Sequence, residues 1–149
     1  MIEKYELELN RSDIAKRVRS IIGIPTELLT DEIISSPIFI TQTENFINKA
    51  IKDHLEEIDE NDTDLLDICA MYYISYLLCV GMDARLPRQM ENLSTKTILN
   101  NINWDEKALE LLDKAQEILD DFLEEFDDSD YYSTIADISD EMEYPETNI

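Results

Sequence analysis

The chain has 149 residues, with 35 Asp or Glu against 12 Lys or Arg, for a formal charge of −23. That charge excludes non-specific binding to DNA, RNA or an anionic membrane, which needs an excess of basic groups. With 44% hydrophobic residues it is no disordered acidic polymer, and with only two glycines and four prolines it favours long helices and few tight turns.

Residues 2–9 alternate Tyr5, Leu7 and Leu9 with Glu6 and Glu8, the pattern of a short strand or an extended arm. A first helix is predicted over Asp13–Ile22, with Ser12 as N-cap and Gly23 at the C′ position. Its apolar face is Ile14, Val18, Ile21 and Ile22, and Pro25 prevents simple continuation. A short helical turn fits Asp31–Ser35. Ser36-Pro37 then reads as N-cap and N1 of a second helix running to about Glu57, with Thr41-x-x-Glu44 as an alternative capping box. Its apolar stripe is Phe39, Thr43, Phe46, Ile47, Ala50, Ile51, Leu55 and Ile58.

A third helix is predicted from Asp62 or Thr63 to Gly81. From Leu65 to Met82 only Asp67, Ser75 and Gly81 are not apolar. A membrane span needs about 20 such residues. Asp67, three tyrosines and the absence of a flanking basic asymmetry favour a central helix buried on most sides. Residues 83–103 read as a long connection, with Pro87, the polar run from Asn92 to Thr95, and Lys96–Leu99 patterned as a short strand. A final helix is predicted after Asn103, where Asn103-x-x-Glu106 resembles a capping box. Ala108, Leu112, Ala115, Leu119, Phe122 and Phe126 form its seam, widened by Leu111, Ile118 and Leu123, and Glu110, Asp113, Glu117, Asp120, Asp121 and Glu124 its opposite face. The expectation is an all-α bundle of about four helices, spanning 12–126 between an N-terminal arm or strand (1–11) and an acidic C-terminal arm (127–149).

The charge is unevenly spread. The last basic residue is Lys114, and Ala115–Ile149 holds 13 acidic residues. The arm beyond residue 126 interleaves acids with Tyr131, Tyr132, Ile135, Ile138, Met142 and Tyr144, apolar groups suited to a protein partner. Lys16, Arg17 and Arg19 are the one basic cluster, a solvated face or a receiver of a neighbouring copy's carboxylates.

Nothing in the pattern points to catalysis. His54 is the single histidine and has no nucleophile or second histidine at catalytic spacing. Asp59-x-Asn61-x-Thr63 begins like a calcium loop but has Asp64 where the turn needs glycine, and Asp128-x-Asp130-x-Tyr132 fails in the same way. Adjacent acid pairs such as Glu56/Glu57 and Asp120/Asp121 do not face each other on a helix. Gly23 and Gly81 form no phosphate-binding loop. The expectation is no enzyme, no metal and no cofactor. Cys69 and Cys79, ten apart in one helical run, are about 15 Å apart and out of disulfide range of each other, which points to a reducing compartment. Met1–Asn10 does not read as a signal peptide.

The order of segments carries a resemblance. Val18-Arg19-Ser20-Ile21-Ile22-Gly23-Ile24, then Leu28-Leu29-Thr30-Asp31-Glu32-Ile33-Ile34, then Ser36-Pro37-Ile38-Phe39-Ile40 lead into a helix. The long apolar helix follows, then Trp104 and the amphipathic final helix. Over residues 12–126 this resembles the head-tail connector (adaptor) proteins of tailed bacteriophages. The resemblance implies a helical structural protein of the virion, made in the host cytoplasm. Its copies, commonly about twelve, form a ring between the portal protein and tail-side connector proteins. DNA passes through that ring without specific binding, and the C-terminal segment reaches onto the portal. The competing expectations are a DNA-mimic inhibitor of a nuclease or other DNA-binding protein, and an acidic chaperone for a basic partner.

Overall fold

The structure, a computed structural model, describes residues 2–24, 26, 29–82 and 102–126. Among these residues every regular element is helical: α1 (Ile14–Ile22), α2 (Asp31–Ile34), α3 (Pro37–Ile51), α4 (Thr63–Val80) and α5 (Trp104–Glu124). Single 3-10 turns at Arg11–Asp13 and Glu60–Asp62 precede α1 and α4. The described residues are all-α, as the sequence predicts. Most of the 83–103 connection and all of the 127–149 arm lie outside the described residues.

The core is organised around α4, which packs most extensively on α5 and then on α1 and α3. Leu66, Cys69, Ala70, Ile74, Leu78 and Cys79 are fully buried along it. Burying each Leu or Ile side chain contributes about 1.5–3 kcal/mol. By length and composition Glu60–Val80 could cross a membrane, yet half of that window is buried inside the fold. From α5 come Trp104, Ala108, Leu111, Ala115, Leu119 and Phe122, spaced by three and four residues. Of the widened seam, Leu111 is buried while Leu112 is only half-buried.

The helix ends show which local signals act. Gly23 takes φ 84°, and its N–H donates to the Arg19 carbonyl at 2.7 Å, closing α1. Pro37 occupies N1 of α3, where its missing N–H costs nothing. Asn103 Oδ1 accepts from the Glu106 N–H at 3.1 Å and starts α5.

Two predicted ends are corrected. The second helix stops at Ile51, six residues short of Glu57, and continues as turns in which His54 N–H reaches the Ile51 carbonyl and Glu57 N–H the His54 carbonyl. Asp53, Glu56 and Glu57 would place three carboxylates at the negative end of the helix dipole. Ser12 does not cap the first helix. It has φ 60°, Asp13 has φ 53°, and α1 starts only at Ile14. This left-handed turn brings Arg11 back to α4, as described next.

Candidate functional surfaces

Residues 5–8 run without helix beside α3, between a bend at 3–4 and a turn at 9–10, with Tyr5 and Leu7 buried and Glu6 and Glu8 exposed. The alternation is that of a strand, but the pairing partners are side chains of a helix. Asn48 Oδ1 accepts from the Tyr5 N–H at 2.7 Å, and Asn48 Nδ2 donates to the Tyr5 carbonyl at 3.0 Å. One turn earlier on α3, Glu44 Oε2 accepts from the Leu7 N–H at 2.8 Å. The Ile2 N–H donates to the Leu55 carbonyl at 3.2 Å.

The same segment closes over a buried polar cluster. Asp67 of α4 is fully buried. The Tyr5 hydroxyl donates to its Oδ1 at 2.6 Å; Arg11 donates through Nη2 to Oδ1 and through Nε to Oδ2, both at 2.7 Å. Arg11 Nη2 also reaches the Glu6 carbonyl at 2.7 Å. Burial, reinforced by the hydrogen bond to Asp67, pushes the Tyr5 hydroxyl pKa far up. The hydrogen bond to Asp67 likewise raises Arg11. With three donors on one fully buried carboxylate, this cluster ties the N-terminal segment to α4. Asp67 was visible in the sequence only as the lone carboxylate of an apolar run. Its partners, 62 and 56 residues away, gave no local signal.

The predicted acidic face of α5 is on the surface: Glu110, Asp113, Glu117, Asp120, Asp121 and Glu124 are all exposed. The predicted basic cluster divides. Lys16 and Arg17 are exposed, whereas Arg19 is held by its own chain. Arg19 Nε donates to the Leu29 carbonyl at 2.7 Å, and its Nη2 pairs with Asp31. Tyr131, Tyr132, Ile135, Ile138, Met142 and Tyr144 lie outside the described residues.

A third surface is aromatic. Phe46 of α3 stacks on Tyr73 of α4 at 4.1 Å, and Tyr73 meets Tyr76 at 5.4 Å. These rings are half-buried, and Ile38 (59% exposed) and Val80 (56%) are the most open large apolar groups of the same two helices. Elsewhere Lys107 Nζ donates to the Ile22 carbonyl at 2.9 Å, tying α5 to the C-terminus of α1. Trp104 Nε1 beside it is buried without a hydrogen-bond partner among the described residues.

No group of three His, Cys, Asp or Glu residues with metal-binding geometry occurs among the described residues. Asp59 and Asp62, from the calcium-like run, instead cap each other reciprocally at the turn before α4. His54 Nδ1 lies 3.4 Å from Glu57 Oε2, and its ring is 6.4 Å from Phe126. In comparisons with protein-family models, curated proteins and solved structures, nothing matches the chain.

Proposed function

We propose that the chain is a non-enzymatic structural protein, a head-tail adaptor of a tailed-phage virion. Its copies form a ring between the portal and tail-side proteins. The observation that carries this reading is the division of α5 into a buried apolar seam and an exposed row of carboxylates. A ring lined by such rows would repel duplex DNA and let it slide without gripping its phosphates. The order of sequence segments that resembles the adaptor family supports the same reading. In it, the longer helices form a bundle of about four, residues 83–103 a long loop, and residues 127–149 an extended arm that docks on the portal. The exposed Lys16 and Arg17 would meet a neighbouring copy's acids in the ring.

The test is to mix the full chain with the portal protein encoded in the same genome and to measure mass by light scattering. Expected is a complex of ring stoichiometry, lost on deletion of residues 127–149 while helical circular dichroism is kept. A chain that ignores the portal and inhibits a nuclease in competition with duplex DNA overturns the proposal. That second reading, a DNA mimic, draws on the same α5 row, in which carboxylates recur about every 5 Å along the helix.

A further inference from the structure

The N-terminal segment joins α1 through a turn that no glycine relieves. Ser12 and Asp13 are consecutive residues in the left-handed region, at φ 60° and 53°. Side chains with a Cβ disfavour that region, Ser more than Asp. The turn has one effect: it folds residues 2–11 back onto the copy that carries them. There the segment buries Tyr5 and Leu7 and places its backbone on Asn48, Glu44 and Leu55 and its side chains on Asp67. All of these receiving groups lie on or just after α3, or on α4. None of them is specific to the copy that supplies the arm.

We propose that residues 2–11 form an exchangeable arm. In a dilute chain the arm fills the groove over α3 and α4 of its own copy. Where copies are held together it fills that groove in a second copy. Exchange recreates every anchor in trans, because both grooves are identical. Only the Ser12–Asp13 junction changes, from a strained reversal to an unstrained extended link. The balance is therefore set by the junction strain and by the local concentration of copies. The occupant is a second copy's arm and no other protein, since Tyr5, Arg11 and the backbone register must match Asp67, Asn48 and Glu44 together. The charge of −23 opposes approach of two copies, so added salt favours exchange. This inference does not depend on the adaptor reading.

The test places a photo-crosslinking benzoylphenylalanine at exposed Glu3, which shares a cleft with Lys52, Leu55 and Glu56 just after α3, in the full chain. Isotopically heavy and light copies are mixed at high concentration and crosslinked after equilibration. Mass spectrometry then counts heavy–light against like-labelled crosslinks to residues 52–57. Exchange yields heavy–light pairs that increase with concentration and salt. Ser12→Pro, which cannot adopt the left-handed turn, should raise their share and the mass by light scattering. The double variant Ser12→Gly/Asp13→Gly, which relaxes the turn, should lower their share on the order of tenfold. Crosslinks that stay within one copy at every concentration overturn the proposal. So does a glycine variant that exchanges as readily as the parent, or a folded proline variant whose arm crosslinks to nothing.

Discussion

Asn48 holds Tyr5 by both of its backbone groups, accepting from the N–H at 2.7 Å and donating to the carbonyl at 3.0 Å. A single amide side chain on a helix thus performs for the N-terminal segment what a neighbouring strand performs in a sheet. Glu44, four residues earlier on the same helix face, repeats the acceptor half for Leu7. The spacing matches because two residues of extended chain rise about 6.6 Å and one helical turn 5.4 Å.

The amide chemistry at position 48 is therefore testable. Asn48→Leu removes both partners of a part-buried backbone, with an expected loss of about 1–3 kcal/mol in urea unfolding. Asn48→Asp keeps the acceptor for the Tyr5 N–H but turns its other oxygen on the Tyr5 carbonyl. It should be no better than Asn48→Leu, and limited proteolysis should then cut within residues 2–10. An aspartate variant as stable as the parent would show that the donor half contributes nothing.

Asp67, fully buried, should be the carboxylate whose neutralisation costs the most stability. Removing one partner of a buried ion pair costs about 3–5 kcal/mol, because the other is left without compensation. Arg11 keeps some solvent contact, its side chain being 29% exposed, so Asp67→Ala is expected near the lower end. Tyr5→Phe in the Asp67→Ala background should cost much less than in the parent. Denaturant unfolding of the double-mutant cycle measures that coupling.

Much of the fold was legible because helix periodicity is a local property. The seam of α5, the Asn103 cap, the Gly23 stop and the short turn at Asp31–Ile34 each depend on residues within a few positions of one another. The N-terminal alternation identified an extended segment but not its partner, because Asn48 and Glu44 look like ordinary polar positions of a helix. The end of α3 was overrun because the apolar pattern continues through Leu55 and Ile58 while the backbone does not. On the surfaces, exposure of the α5 acids follows from the period alone. The engagement of Arg19 does not, since Leu29 and Asp31 reach it from 10 and 12 residues further along the chain.

The Tyr5 hydroxyl gives the stability curve an alkaline limb. Its folded pKa is raised well above the ordinary value of 10, first by burial and then by Asp67. A raised folded pKa means that the native state holds the proton more tightly. The associated stability is complete below pH 10 and is lost as pH rises past that value, where the unfolded state ionises first. Unfolding midpoints of the parent should therefore fall progressively as pH rises above about 10. Tyr5→Phe should be less stable at neutral pH and show a shallower alkaline decline. Parallel declines in the two proteins would place the limb on other groups.

Cys69 offers a clock for opening of the core. Its thiol is buried, donates to the Ala115 carbonyl at 3.3 Å, and is pushed up to about 12, chiefly by burial and secondarily by the Asp120 carboxylate. A reactive thiol needs the thiolate and access, and the native state withholds both. At pH 8, iodoacetamide should leave Cys69 unmodified in the folded chain and label it promptly in urea. Asp67→Ala, which loosens the helix two residues away, should speed native-state labelling by the factor its lost stability predicts, about tenfold for each 1.4 kcal/mol. If labelling stays slow in that variant while urea unfolding shows the loss, the α4–α5 contact opens independently of the Asp67 cluster. The polar lock would then protect only the N-terminal side of the fold.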